Sequence, residues 1–366
     1  MAKECKNFTF LGKSLSELSA AYISVDFDQE KERDFALSRT IEYSNTTTAR
    51  SEPSVRRAGF ENHLTFEVHL VKDPCRYPTQ EERIITESEL REFTRWLTST
   101  DSSQFLRFTY DKEHEDDTSL YLGQFTDIQP FLAGGELYGL RLIFECSTCF
   151  GYTEELSVPI HCKGSTMVTI PNHSDDTNRF RYPKLDIVPY QTGQIYLANL
   201  SDCQIYESGT LAEFADNTAG MTLLQDKIEA YALAHGLSVE YRPDPVNTEK
   251  IVTLGDNTAI QFRFTDNKGT AEKCAAFYRT ATRSYTILKG GFLYLNVHKD
   301  LPIHMDCEKV TLFDDIGRMI TYESIGMTDM DYFYWPRLRS GDNLFLFYAP
   351  DCTFTLTHRE LRKAGA

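Results

Sequence analysis

Apolar and polar residues alternate with a period of two along much of this 366-residue chain, and that period predicts strands. Residues 63–71 show it most clearly, because Leu64, Phe66, Val68 and Leu70 fall on one face with polar residues between them. This is the pattern of a strand with one buried face. Further strands are predicted in the same part of the chain at residues 8–10, 21–25, 105–110, 120–125 and 137–144.

One helix is predicted among these strands, over residues 86–98. Thr86 can cap its N-terminus, and Glu89 stands three positions later, which makes a capping box. Apolar residues then recur at helical spacing and form one stripe, made of Leu90, Phe93, Trp96 and Leu97. Residues 1–152 are therefore predicted to form a mostly antiparallel sheet with one helix.

The second part of the chain, residues 153–366, shows evenly spaced short strands that are typical of a β-sandwich. Residues 205–290 interrupt it with helical signals. An amphipathic stripe over residues 223–232 ends at His235 and Gly236, a C-cap signature, and a second helix is predicted over residues 271–280. We expect a small α+β insertion here, with a long decorated loop as the alternative. The predicted fold class is mainly β, with α+β character.

A polar segment, residues 44–59, contains Pro53 and Gly59 and lacks an apolar pattern. Its composition predicts a long extended loop or arm rather than a core element.

The aromatic content agrees with a fold rich in strands. The chain has 24 Phe, 20 Tyr and only 2 Trp, and aromatic residues favour strands.

Hydropathy and charge argue against several classes of protein. No apolar run approaches the roughly 18 residues of a membrane helix, so no membrane partner is expected. The N-terminus lacks the apolar stretch of a signal peptide, so we expect synthesis and retention in a cytoplasm. A net charge of −16 argues against a free nucleic-acid binder, which needs a basic face.

The search for catalytic and metal-binding motifs finds little. Nine scattered cysteines predict free thiols in a reducing compartment, and the close pair Cys146 and Cys149 has no second pair to complete a zinc site. His298, His304 and Asp306 share parity, but a proline between the two histidines makes a common strand face doubtful. We therefore expect no enzyme, no cofactor and no metal.

An aromatic cluster near the C-terminus, Tyr332, Tyr334 and Trp335, is the candidate contact for a glycan or a protein partner. Aromatic rings at the edge of a sandwich can stack on sugar rings. The alternative interpretation is that these rings belong to the sandwich core or to a protein interface.

Several stretches, taken in order and with their spacing, resemble the distal tail proteins of siphophages. They are NFTFLGKS at residues 7–14, the helix with Phe93 and Trp96, FECSTCFGY at 144–152, GQIYLAN at 193–199, HMDC at 304–307 and WPRLRSGDN at 335–343. The insertion at 205–290 departs from the simple family pattern, and its function is open.

The resemblance implies a virion protein at the phage tail tip or baseplate, assembled in the host cytoplasm. Its N-terminal domain would form a homo-hexameric ring, and the arm at 44–59 would contact the neighbouring subunit through Thr47, Arg50, Arg56 and Arg57. A galectin-like sandwich would project outward. The implied partners are the tail tube protein, a tail-tip hub or tail-associated lysin, the receptor-binding proteins for host attachment, and DNA that passes through the lumen without specific binding during genome ejection.

Three other hypotheses remain at this point. The chain can be a carbohydrate-binding baseplate module that contacts the host surface, which does not exclude the ring. It can be a baseplate hub protein of a contractile injection machine. It can be a tail-associated hydrolase, although no motif supports an enzyme.

Overall fold

A computed structural model describes residues 7–25, 39–44, 54–60, 63–109, 119–211, 217–241, 251–254, 257–326 and 333–363. The chain divides into two compact units. The first comprises Met1–Glu154 together with Glu360–Ala366, and the second is Glu155–Arg359. The C-terminal strand therefore belongs to the first unit, whereas the sequence analysis assigned all of 153–366 to the second. The reason is that this strand pairs with residues 150–152.

The first unit is built on one large antiparallel sheet. Its elements are β1 (Asn7–Phe10), β2 (Lys13–Ser14), a 3-10 helix (Leu15–Glu17), β3 (Tyr22–Val25), β4 (Arg39–Ser44), β5 (Ser54–Phe60), β6 (Thr65–Lys72), α1 (Glu87–Leu97), β7 (Gln104–Thr109), β8 (Leu120–Ala133), β9 (Glu136–Cys146), β10 (Phe150–Tyr152) and β24 (Leu361–Lys363). The strand order in the large sheet is β2-β1-β7-β8-β9-β6-β3, and β10 pairs with both β8 and β24.

Helix α1 confirms the helix predicted from the sequence, including the capping box between Thr86 and Glu89. Its apolar stripe packs into the core of the first unit. The Trp96 ring stacks on Phe8, with 5.4 Å between centroids, and its Nε1 donates a hydrogen bond of 2.9 Å to the carbonyl of Phe10. The alternation over β6 is confirmed as well, because the four apolar side chains from Leu64 to Leu70 are buried.

The polar segment at 44–59 corrects one expectation. Residues 54–60 form a strand rather than a loop, and β4 and β5 pair as a hairpin from Arg39 opposite Phe60 to Ser44 opposite Ser54. This two-stranded sheet shares no strand pairing with the other described strands. Polar composition did not prevent strand formation, because backbone hydrogen bonds between the two strands do not depend on apolar side chains.

The second unit contains two sheets and one long helix. Its elements are β11 (Leu156–Asn172), β12 (Lys184–Pro189), β13 (Gly193–Asn199), β14 (Gln204–Thr210), α2 (Asn217–His235), β15 (Ser238–Tyr241), β16 (Ile251–Leu254), β17 (Asn257–Thr265), β18 (Ala271–Arg279), β19 (Ser284–Lys289), β20 (Phe292–Val297), β21 (Ile303–Asp306), β22 (Thr311–Phe313), a 3-10 helix (Glu323–Ile325) and β23 (Gly341–His358). A seven-stranded sheet has the order β20-β13-β23-β12-β21-β22 with β11 on β23, and a six-stranded sheet has the order β14-β19-β18-β17-β15 with β16 on β17.

The seven-stranded sheet folds over onto itself through its two longest strands, β11 and β23. The first half of β23 pairs with β13 and the second half with β12. Phe347 and Phe354 are seven residues apart, or about 23 Å along a straight strand. Their rings nevertheless lie 4.8 Å apart, so β23 bends sharply, and opposite the bend the register shifts between Cys162 and Gly164. Both halves therefore enclose one core, as a sandwich does.

The helix predicted over residues 271–280 is wrong, because these residues form the strand β18. Cys274 and Tyr278 face the core beneath α2, whereas Ala275 and Phe277 face the sandwich core. A strand buried on both faces has a continuous apolar run, and such a run cannot be told from a buried helix by its period. Helix α2 itself confirms the amphipathic stripe, and Gly236 follows it with φ +65°.

The insertion is a compact part of the second unit rather than a decorated loop. The Phe277 ring lies 5.2 Å from Tyr348 and 6.2 Å from Tyr196, which belong to the sandwich. The Tyr348 hydroxyl donates to the carbonyl of Tyr278 at 3.2 Å, and Gln261 Nε2 donates to the Tyr196 hydroxyl at 3.1 Å. Shared burial and cross-connecting hydrogen bonds fix the insertion on the sandwich.

Candidate functional site

The second unit carries a cleft of about 690 Å³. This volume lies within the range of pockets that bind small ligands. Aromatic, charged, small apolar and glycine residues form its walls, namely Tyr182, Asp202, Gly290, Gly291, Cys307, Glu308, Val310, Phe333, Tyr334, Trp335 and Arg337. These residues come from five separate stretches of the chain.

Asp202 is the buried carboxylate that several cleft residues contact, and its side chain is only 1% exposed. It lies in the turn after β13 and accepts a hydrogen bond of 3.0 Å from the Tyr334 hydroxyl. Arg337 donates from Nε to Oδ2 at 2.7 Å, and Arg339 Nε lies 3.4 Å from Oδ1. Two guanidinium groups and a hydroxyl thus compensate a buried carboxylate, which otherwise costs several kcal/mol to bury. The result is that residues 333–339 are held against the turn.

The aromatic residues have distinct positions in this arrangement. Burial and the nearby Asp202 carboxylate raise the pKa of Tyr334 well above its usual value, and its hydroxyl is used internally. Trp335 packs partly against the sandwich core, with its ring 4.6 Å from Phe333. Tyr182 is 41% exposed at the cleft.

Gly291 allows the chain to pass close to the Asp202 turn. Its φ is +63°, and a Cβ at this position would lie 2.8 Å from the Cβ of Cys203 and 3.0 Å from the carbonyl oxygen of Asp202. Any larger residue would therefore push the strand β20 away from the turn that positions Asp202.

The candidate contacts from the sequence analysis are thus found partly in the cleft. Tyr334 and Trp335 line it, and Tyr332 lies outside the described residues. Asp202, Glu308 and Tyr182 were missed, because no local pattern links residues that only the fold brings together. The arginine-rich WPRLR stretch was the one available signal.

The histidine candidates do not form a metal site. His304 Nδ1 lies 2.7 Å from Asp186 and its Nε2 lies 3.5 Å from Asp315, so the two carboxylates flank the ring. The hydrogen bond with Asp186 raises the pKa of His304 above its usual value. No group of three or more potential metal ligands occurs among the described residues, and the buried Cys146 and Cys149 belong to different clusters.

The candidate arm residues lie only partly within the described chain. Arg56 and Arg57 are in β5 of the hairpin, whereas Thr47 and Arg50 lie outside the described residues. Among the helices of the described ranges, none is long and apolar enough to cross a membrane.

Residues 3–148 match the family described as phage tail protein N-terminal domain. This stretch lies within the first unit, which is therefore similar to a phage tail domain over most of its length. The fold of the whole chain is similar to that of the Dit protein of phage SPP1, described as a paradigm of the hub adsorption apparatus in phages that infect Gram-positive bacteria. The TM-score is 0.50 at 11% identity, over 96% of this chain and 98% of that one.

A chain of the phage P2 baseplate, in its activated conformation with calcium, matches at a TM-score of 0.41 and 10% identity, over 100% of this chain and 99% of that one. No curated protein matches the sequence significantly. The family match over residues 3–148 and the fold shared with the SPP1 Dit protein confirm the resemblance to siphophage distal tail proteins.

Proposed function

We propose that this protein is a structural component of a phage tail tip, and that six copies form a ring that joins the tail tube to the host-recognition apparatus. The observation that carries the proposal is the phage tail domain at residues 3–148 within a chain that shares the fold of a hub protein. No catalytic step is assigned to the chain.

Two features of the phage tail domain suit a ring. A cyclic ring joins two different surfaces of each subunit. Strand β3 lies at the end of the large sheet and pairs only with β6 among the described strands, so its other edge can accept a strand. The β4–β5 hairpin, which shares no pairing with that sheet among the described strands, supplies a separate element that can reach a neighbour. Backbone hydrogen bonds would then provide affinity.

The proposed ring also gives roles to the second unit and to the negative charge of the chain. The second unit, as a galectin-like sandwich, would project outward and hold receptor-binding proteins, while the ring contacts the tail tube protein on one side and a hub or lysin on the other. A net charge of −16 suits a channel for DNA, because an acidic lining offers no counterion-release affinity that would hold the passing duplex.

Native mass and excision of the hairpin test this proposal together. Six chains of 42.0 kDa amount to about 252 kDa. Arg39 and Phe60 are cross-strand partners, so a short Gly-Ser linker can replace residues 40–59 without spanning a long gap. We expect the full chain to sediment as the hexamer and the excised variant as a folded monomer. A full chain that stays at 42.0 kDa at every concentration, or an excised variant that still forms hexamers, contradicts the proposal.

A second candidate function is carbohydrate binding by the second unit at the host surface. The cleft favours it, because partly exposed aromatic rings and a few convergent polar groups are the composition of a ligand site. A glycan array probed with the full chain tests this function, and an array without a single reproducible signal contradicts it.

A further inference from the structure

We infer that the cleft between Tyr182 and Trp335 is a binding site for an uncharged pyranose of a surface glycan, with Trp335 as the stacking platform and Glu308 as the hydroxyl acceptor. This inference rests on the second candidate function and assigns it to specific residues.

The aromatic wall provides the apolar contact. Trp335 is anchored on one side by the sandwich core and by Phe333 at 4.6 Å, so its ring is held in place before a ligand arrives. Tyr182 is 41% exposed and lines the same cleft. A ring that is fixed in advance, as that of Trp335 is, costs little conformational entropy on binding.

The polar groups distinguish a neutral sugar from a charged ligand. Arg337 is paired with the buried Asp202 carboxylate at 2.7 Å, and Arg339 shares that carboxylate. The carboxylate of Glu308 in the cleft wall offsets the second guanidinium charge, so the cleft has no excess positive charge to attract an anion. Glu308 is exposed and has no ion-pair partner among the described residues, which leaves its carboxylate able to accept hydrogen bonds from hydroxyl groups. A carboxylate of this kind repels acidic sugars and phosphate.

The dimensions also fit a sugar. A cleft of about 690 Å³ can hold one or two pyranose rings, because small-ligand pockets span roughly 300–1,000 Å³. Gly290 lies at the wall with φ +66°, and a Cβ added there would meet no atom within 4 Å, so the space beside it is open.

The two tryptophans of the chain make the test direct, because Trp96 is buried in the first unit and Trp335 reports on the cleft. The emission of the full chain is titrated with lactose, maltose and chitobiose. We expect a saturable change with at least one of them, which disappears in Trp335→Phe. Calorimetry with that sugar should show affinity reduced roughly tenfold by Tyr182→Ala and by Glu308→Gln.

Both of these side chains are exposed, so their replacement leaves the fold intact. Tyr190→Ala is the matched control, because Tyr190 is a similarly exposed tyrosine, 47% accessible, outside the cleft, and it should bind as the wild type does. Unchanged affinity in both cleft variants overturns the site while leaving carbohydrate binding in place. Binding of tetramethylammonium but of no sugar overturns the assignment to a pyranose, and a glycan array without signal overturns the underlying function.

Discussion

Lys72 Nζ lies 2.9 Å from Oε1 of Glu89, and the lysine side chain is only 6% exposed. The same ammonium group donates to the carbonyl of Ile84 at 2.7 Å. Glu89 is also the third residue of α1 and completes its capping box with Thr86. One buried cation therefore ties the end of β6, the following loop and the start of the helix together.

Removing this cation should destabilise the first unit. Lys72→Met leaves the Glu89 carboxylate without its ion pair and the Ile84 carbonyl without its donor, at an expected cost of about 3 kcal/mol in the free energy of unfolding. Arg76→Ala is the control, because Arg76 is 73% exposed beside Asp73 and should change stability by less than about 0.5 kcal/mol. Urea denaturation followed by Trp96 emission measures both free energies of unfolding. Equal effects of the two substitutions would show that the buried Lys72–Glu89 ion pair does not stabilise the first unit.

The pH dependence of stability should carry the signature of Glu89. Burial alone would raise the pKa of Glu89, but hydrogen bonds from Thr86 and the Lys72 ion pair outweigh it and hold the pKa below the usual value. A depressed folded-state pKa gives stability that is present at neutral pH and lost as the pH falls through that pKa. The difference in unfolding free energy between wild type and Glu89→Gln should therefore shrink as the pH is lowered from about 7 to 3. A difference that stays constant over this range would contradict the linkage.

A substitution inside the insertion should weaken the sandwich as well. Phe277 is 2% exposed and packs between the insertion sheet and the sandwich tyrosines, so Phe277→Ala should cost about 3 to 5 kcal/mol. Hydrogen exchange should then accelerate in β13 and β23, not only in β18. Leu233→Ala, at an 84% exposed position of α2, should leave exchange unchanged. Faster exchange confined to the insertion would mean that it folds independently.

The contacts of Asp202 with Tyr334, Arg337 and Arg339 should keep the cleft residues 333–339 in place. Asp202→Ala leaves Tyr334, Arg337 and Arg339 without their common acceptor, and we expect a loss of about 2 to 3 kcal/mol. Asp202→Asn keeps an acceptor oxygen and should lose less. Acrylamide quenching of the Trp335 fluorescence should increase in the alanine variant. Quenching equal to that of the wild type would show that the Asp202 contacts do not hold residues 333–339.

The sequence predicted those elements whose pattern is local. The α1 capping box and the alternation in β6 depend on neighbouring residues and one buried face, so they were recognisable. Strand β18 was not recognisable, because its residues are buried on both faces and therefore do not alternate between apolar and polar. The cleft was seen only as Tyr334 and Trp335, since Asp202 and Glu308 approach them through long-range strand pairing, which composition and spacing do not encode.

The assembly state of the purified full chain, imaged by electron microscopy, tests the central claim most directly. The account predicts six-fold averages with a central hole, with the first unit forming the ring and the second unit at its periphery. Images of isolated single chains at all concentrations, or of closed particles without a channel, would contradict it.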